Sequence, residues 1–320
     1  MNCKKFIITG GSGFIGRQLT LNLLSSGNSV KNIDKKSPKN IHKNLTKNEL
    51  SNYSFVKLDL TKHDIKKHLK GYDVVIHLAA NSNARLGYKK PQVDFNDGLI
   101  STFNVLEAMR KSNISEIIFS SSSTVYGNSP IIPTPENTST IPISNYGAAK
   151  LASESFILSY SELYDIKCWI FRFGNVIGKD SSQGVVFDLI RKLQKNKNTL
   201  EVLGNGNQKK DYIYIDDCVE GILHAYYNTK KSKNIFNLGT ATTISVKEIV
   251  KLILKKMSLS NTTINFMDKN KKLQGGGWPG DVPKIILDNT KTKNLGWIPR
   301  YNSKKSITLS IDDILNKKYS

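Results

Sequence analysis

The sequence predicts an α/β protein, a doubly wound parallel sheet with a smaller C-terminal substrate-binding lobe. Three observations carry that prediction. Short β-branched runs alternate with longer helical patterns through the first half of the chain. The middles of those runs are near-continuously apolar, as strands buried on both faces should be. A glycine-rich turn, Gly10-Gly11-Ser12-Gly13-Phe14-Ile15-Gly16, separates the first run from the first helical pattern.

Taken in order, strands are expected at Phe6–Thr9, Ser29–Asp34, Ser54–Leu58, Val74–His77, Glu116–Ser120 and Lys167–Phe173. Helical periodicity covers Phe14–Ser25, Leu99–Arg110, Tyr146–Leu163 and Cys218–Tyr227, with Asp216 and Asp217 placed to cap the last. From Gly178 onward the pattern loosens into turn-rich pieces such as Gly204-Asn205-Gly206 and Gly275-Gly276-Gly277. Phe236-Asn237-Leu238-Gly239 reads as one more strand returning to the large sheet. The expected division is therefore 1–178 for the first domain, with returning segments near 212–240. Residues 179–211 and 241–320 then form the lobe.

The chain has 320 residues, 47 Lys and Arg against 26 Asp and Glu, and a formal net charge of +21. Such a charge raises the question of nucleic acid. The lysines are scattered among asparagines, as in Lys195-Asn196-Lys197-Asn198, and form no stripe interleaved with aromatics. That pattern argues against a dedicated nucleic-acid surface. No apolar run approaches the ~20 residues of a membrane span. Cys3, Cys168 and Cys218 are odd in number and far apart, which fits neither a disulfide framework nor a metal site. The N-terminus enters the first strand with no signal-peptide pattern, so a reducing cytoplasm is the expected compartment.

The glycine turn has a specific chemistry. Glycines allow the tight turn and the approach of backbone to a pyrophosphate, and the helix start offers N–H groups to it. Asp34 closes the second strand, where a carboxylate accepts hydrogen bonds from an adenosine ribose and repels a 2′-phosphate. The turn is thus Rossmann-type and the expected cofactor is NAD, with Lys35 and Lys36 softening the preference over NADP. A plain strand–helix turn with a surface aspartate is the bland alternative, and the strand–turn–helix context argues against it.

Tyr146 and Lys150 lie four apart and so on one face of a helix. A tyrosine with an unperturbed pKa of about 10 is a poor base, but a nearby ammonium favours its phenolate. Such a tyrosine takes a hydroxyl proton as hydride leaves the same carbon. Alone, the pair also suits an amphipathic helix with a surface lysine. The run Ser120-Ser121-Ser122-Ser123-Thr124-Val125-Tyr126-Gly127 stands at the carboxyl end of a strand, where ligands bind in open α/β sheets.

With Thr9-Gly10-Gly11-Ser12-Gly13-Phe14-Ile15-Gly16, Asp34, Asp59-Leu60, His77-Leu78-Ala79-Ala80 and Tyr146-Gly147-Ala148-Ala149-Lys150, the chain resembles the extended short-chain dehydrogenase/reductase superfamily. The resemblance runs from Phe6 to Pro299 and is nearest to its nucleotide-sugar epimerases and dehydratases. It implies that Gly10, Gly13, Phe14, Ile15 and Gly16 hold the cofactor. Asp59 and Leu60 would edge the adenine, and Leu78, Ala79 and Ala80 would pass under the cofactor. Counting back from Thr124-Val125-Tyr126-Gly127 as in the epimerases, the catalytic hydroxyl falls on Ser122. Sugar-nucleotide 4,6-dehydratases carry Asp-Glu where this chain has Ser123 and Thr124, because elimination needs an added acid and base. That difference favours epimerisation.

The same resemblance assigns a substrate end. Asn175, in Arg172-Phe173-Gly174-Asn175-Val176-Ile177-Gly178, would bond the diphosphate or sugar. Lys210 stands where the family has a diphosphate-binding arginine, keeping the charge without the bidentate fork. Trp278-Pro279-Gly280-Asp281-Val282 resembles Arg-Pro-Gly-Asp-Val, so Trp278 replaces a second arginine, either stacking on a ligand or packing on its loop. Ile285 falls at the position that gates bulk at C2 of the sugar. The expected activity is C4 epimerisation of a UDP-hexose or UDP-N-acetylhexosamine, with a homodimer formed through helices such as Leu99–Arg110 and Tyr146–Leu163. A reductase or dehydratase of the superfamily, or a non-catalytic nucleotide-sensing or RNA-binding member, are the alternatives.

Overall fold

The computed structural model describes residues 3–39, 41–267 and 275–316. Each apolar run in the first half becomes a strand: β1 (Lys5–Thr9), β2 (Ser29–Asp34), β3 (Tyr53–Lys57), β4 (Val74–His77), β5 (Glu116–Ser122) and β6 (Lys167–Phe173). With an edge strand at Lys233–Leu238 they form one seven-stranded sheet, ordered edge strand-β6-β5-β4-β1-β2-β3. The pairs β1–β2, β2–β3, β1–β4 and β4–β5 are parallel. Strand order reverses between β1 and β4, so the loops after these strands border the switch point where this fold binds ligands.

Two compact units divide the chain. The first comprises 1–125, 145–172 and 223–236; the second comprises 126–144, 173–222 and 237–320. In the first, Ile7, Ile33, Val75, Ile117, Phe119, Ile157 and Ile170 belong to one buried core. In the second, the helices Val185–Lys195, Val246–Lys256 and Ser303–Asn316 bury Leu189, Leu193, Ile253, Ile307 and Ile311 around the strand Thr199–Leu203.

These boundaries differ from the expected ones at 126–144, which the sequence keeps with the sheet. The reason lies in its hydrogen bonds. Thr134 donates its N–H to the Ile286 carbonyl at 2.8 Å and accepts from the Asp288 N–H at 3.0 Å. Asn237 binds the same loop, donating to the Thr134 carbonyl and accepting from the Tyr126 hydroxyl. Residues 173–178, 212–222 and 237–240 also fall in the second unit.

Two helix starts differ as well. The pattern expected to begin at Leu99 is preceded by a widened π-turn at Phe95–Ile100, and the α-helix proper is Ser101–Arg110. The helix expected at Cys218 begins at Ile215, so Asp216 and Asp217 lie inside its first turn. Asp217 is buried and accepts from Arg300 Nε at 2.8 Å and the Tyr301 N–H at 3.1 Å. It braces the chain end and does not cap the helix.

Candidate active site

β1 ends at Thr9 and the chain turns through Gly10, whose φ of +74° lies in the region open to glycine. A methyl group there would stand 2.7 Å from the Ala79 backbone nitrogen, so the Leu78-Ala79-Ala80 run passes hard against the turn. At Gly16 the added carbon would meet the Gly10 carbonyl oxygen at 2.4 Å, which is how helix α1 (Phe14–Ser25) packs onto the turn. The first residue before α1, Gly13, gives no side-chain cap, and its first turn has no acidic residue. Its leading N–H groups, at Phe14 and Ile15, are therefore suited to an anion.

Asp34 stands at the end of β2, half-buried, and accepts from the Ser12 N–H at 3.1 Å and the Lys36 N–H at 2.8 Å. These bonds fix the carboxylate beside the glycine turn and leave lone pairs for a ribose. Lys35 turns aside to pair with Asp97 at 2.6 Å. Asp59 is fastened by Thr61, through the N–H at 3.0 Å and the hydroxyl at 2.8 Å, and the Leu60 carbonyl accepts from Asn104. A pyrophosphate cradle with a carboxylate at the second strand fits NAD on the protein's own geometry.

The serine run continues the strand: β5 extends to Ser122, and Ser123–Tyr126 form a single 3₁₀ turn. Ser120 and Ser121 are buried. Ser121 donates to Glu154, which also pairs with Arg172 at 2.7 Å in a buried ion pair. Ser122 is partly exposed and hydrogen-bonds Tyr146. Its oxygen also accepts from the Thr124 hydroxyl at 2.9 Å and the Thr124 N–H at 3.2 Å. Ser123 is buried.

Tyr146 and Lys150 occupy the first turns of the helix Asn145–Tyr164. Lys150 is buried and donates to the Ser120 carbonyl at 2.6 Å, with Nζ 5.9 Å from the Tyr146 ring centre. Burial lowers its pKa to about 8, while Glu154 and Asp94 act to hold it charged. Burial also pushes Tyr146 up to about 12, Asp94 adds to that rise, and the bond with Ser122 opposes it. Without a bound cofactor's charge beside it, the protein's own groups make Tyr146 a weaker acid than free tyrosine. His77, from the same motif as Ala79, is a strut. It is buried between the hydroxyls of Thr9 at 2.6 Å and Thr102 at 3.0 Å, and burial holds it neutral with a pKa of about 3.

The second unit gathers its own set. Asn175 opens the short strand Asn175–Ile177, parallel to Tyr212–Tyr214, and its side-chain amide donates to the Asp211 carbonyl at 3.1 Å. Lys210 lies opposite Ile285 on neighbouring parallel strands and pairs with Asp281. Asp281 also accepts from the Gly277 N–H at 2.8 Å and donates its own N–H to the Trp278 carbonyl at 3.0 Å. So Lys210, Asp281, Trp278 and Ile285 share one patch, and the lysine's charge is already partly answered.

Two residues of the first unit, Glu154 and Asp94, went unread in the sequence, and Thr124 was read only for the carboxylate it lacks. Thr124 clamps Ser122, Glu154 joins Ser121 to Arg172, and Asp94 raises Tyr146 electrostatically. Glu154 carried a signal, since it falls on the helix face of Lys150 four residues on. Asp94, in a polar stretch, carried none.

The model of the NAD dependent epimerase/dehydratase family matches residues 6–239. A putative UDP-glucose 4-epimerase of Methanocaldococcus jannaschii is 34% identical over 312 residues, covering 94% of this chain and 95% of that protein. The crystal structure of a UDP-galactose 4-epimerase superposes with a TM-score of 0.86 at 32% identity, covering 98% of this chain and 99% of the other. The UDP-glucuronic acid 4-epimerase of Bacillus cereus, solved with UDP-glucuronic acid and NAD, gives 0.85 at 29% identity over 99% and 100%. A family model matched over residues 6–239 and relatives similar along nearly the whole chain place it plainly: the chain belongs to the NAD dependent epimerase/dehydratase family.

Proposed function

We propose that this protein is an NAD-dependent epimerase that inverts C4 of a UDP-hexose or UDP-N-acetylhexosamine through a 4-keto intermediate. The observation that carries the reading is the set Ser122, Tyr146 and Lys150 with hydroxyl residues, Ser123 and Thr124, at the two following positions. Elimination needs an acid and a base there; epimerisation needs neither. The relatives named as 4-epimerases support the same choice.

The cofactor would be held by Gly10, Gly13, Phe14, Ile15, Gly16, Asp34, Asp59, Leu60, Leu78, Ala79 and Ala80, with Tyr146 and Lys150 beside its reacting end. Bound NAD supplies the acceptor and donor of hydride and, when oxidised, a positive charge. Tyr146 takes the proton of the 4-hydroxyl and returns it to the same oxygen once the 4-keto sugar has turned its other face, so a high proton affinity suits the return step and Lys150 the first. Ser122 orients the hydroxyl, itself oriented by Thr124. In the second unit, Asn175, Lys210, Trp278 and Asp281 are assigned to the nucleotide sugar. Ile285, smaller than an aromatic residue, leaves room for an N-acetyl group. On this reading the first unit is the cofactor domain and the second the substrate lobe.

The finer assembly proposal is a homodimer. Phe103 on one helix and Phe156, Tyr160 and Tyr164 on the helix Asn145–Tyr164 form edge-to-face contacts, and Phe103, Phe156, Leu163 and Tyr164 remain exposed together. Such a patch suits an apolar interface. No described helix is long and apolar enough to cross a membrane, and three free thiols suit a reducing cytoplasm.

The test is incubation of the purified protein with UDP-glucose, UDP-galactose, UDP-N-acetylglucosamine and UDP-glucuronic acid without added NAD. Interconversion of a C4 pair among the first three is expected. Turnover of the glucuronate alone, accumulation of a dehydrated keto sugar, or RNA binding with no turnover overturns the reading.

A further inference from the structure

Asp94 is a buried carboxylate for which the epimerase reading has no use. It ends the short helix Pro91–Asp94, with 2% of its surface exposed. One oxygen accepts from Asn81 Nδ2 at 2.8 Å, and the other, Oδ2, has no hydrogen-bond partner among the described residues. Burying an anion this way costs several kcal/mol unless an opposite charge answers it.

The surroundings are built to admit that carboxylate. A carbon added at Gly87 would overlap Oδ2 at 1.6 Å, so the helix Ala84–Lys89 approaches Asp94 as only glycine allows. The Gly87 carbonyl in turn accepts from Asn145 Nδ2 at 3.1 Å, and Asn145 immediately precedes Tyr146. Three pieces of chain thus converge, carrying Asn81 and Gly87, Asp94, and the start of the helix Asn145–Tyr164. The charged groups around them are few. Lys150 faces Asp94 and Glu154, Tyr146 faces Asp94 and Ser122, and Asp97, itself paired with Lys35, adds a second negative charge near Asp94.

We infer that Asp94 is a positioning residue for the catalytic pair: its fixed carboxylate keeps Lys150 charged and makes Tyr146 a stronger proton holder. This rests on the epimerase reading of the site. Two buried carboxylates act electrostatically on Lys150: Glu154, which is paired with Arg172, and Asp94. Burial works to strip the proton from Lys150, so losing one of its two counter-charges lowers its proton affinity further. Removing the same charge eases ionisation of Tyr146. Both changes point the same way along the pH axis.

The experiment is the pH dependence of kcat/KM for the NAD-loaded Asp94→Asn variant, alongside ultraviolet titration of Tyr146 isolated by subtracting the Tyr146→Phe protein. Both limbs of the profile are expected to move to lower pH by about one unit, with KM unchanged, and the tyrosine to ionise correspondingly earlier. A profile lowered in height but unmoved, with an unmoved tyrosine, overturns the inference and leaves Asp94 a packing residue. Should Asp94→Asn fail to fold, Gly87→Ala displaces the carboxylate while keeping its charge. A shift in the same direction supports the inference, and an unmoved profile overturns it. If the wild type epimerises nothing, the functional reading fails, while the tyrosine titration still decides the role of Asp94.

Discussion

The ligand sites proposed for the two units are built by different means. In the first, the cradle is backbone: a turn at Gly10, the bare start of α1 and one carboxylate fixed by two N–H groups. In the second, the patch is side chains on short strands and the turn before them, and Lys210 is committed to Asp281. A backbone site tolerates no change at a few glycines and almost any change elsewhere. A side-chain site is retuned by single substitutions. The first kind holds a cofactor common to a whole family; the second can follow a substrate.

The largest effect is expected at the chemistry itself, which the proposed function assigns to the first unit. Tyr146→Phe is expected to lower epimerisation by about 10²–10⁴-fold, with the cofactor still bound, as read by its absorbance or by mass spectrometry of the native protein. Undiminished turnover would move the acid–base role elsewhere. Next in size is the backbone cradle. Gly10→Ala places a carbon against Ala79 at a positive φ, and a loss of about 2 kcal/mol or more in stability is expected, together with weakened NAD binding. Thermal unfolding with and without NAD measures both, and an unchanged affinity would show that the turn is not the cradle.

The smallest effect sharpens the other half. Lys210→Ala should raise KM for the nucleotide sugar about tenfold, worth ~1.4 kcal/mol, and leave kcat and NAD affinity nearly alone. Part of the loss reflects an orphaned Asp281, so Lys210→Arg, which keeps the pair, should recover most of it. If kcat falls instead, the lysine takes part in the transition state and the division between the units is less clean than drawn here.

The same contrast explains what the sequence revealed. The sheet was legible because its strands are buried on both faces and bounded by glycine, and β1 and β2 run within one residue of where their apolar runs lie. The cofactor motif was legible because backbone geometry demands glycine at fixed spacing. What stayed hidden depends on contacts between distant segments. The loop 126–144 joins the second unit through hydrogen bonds at Thr134 that no local pattern announces. Asp94 looks like any acidic helix residue until Gly87, seven positions earlier, is seen to make room for it. The raised pKa of Tyr146 was also unreadable, because burial, not the neighbouring lysine in the motif, dominates it.

The clamp of Thr124 on Ser122 has an evolutionary corollary. Two hydrogen bonds from one threonine hold the hydroxyl of Ser122, to which the proposed function gives the orienting of the substrate. The same backbone position carries the glutamate of the 4,6-dehydratases that the sequence resembles. A mutation installing the eliminating acid would therefore remove the side-chain clamp in the same step. The two chemistries compete for one residue, so a lineage moving from inversion to elimination must find a new way to hold Ser122 before it can gain by the exchange.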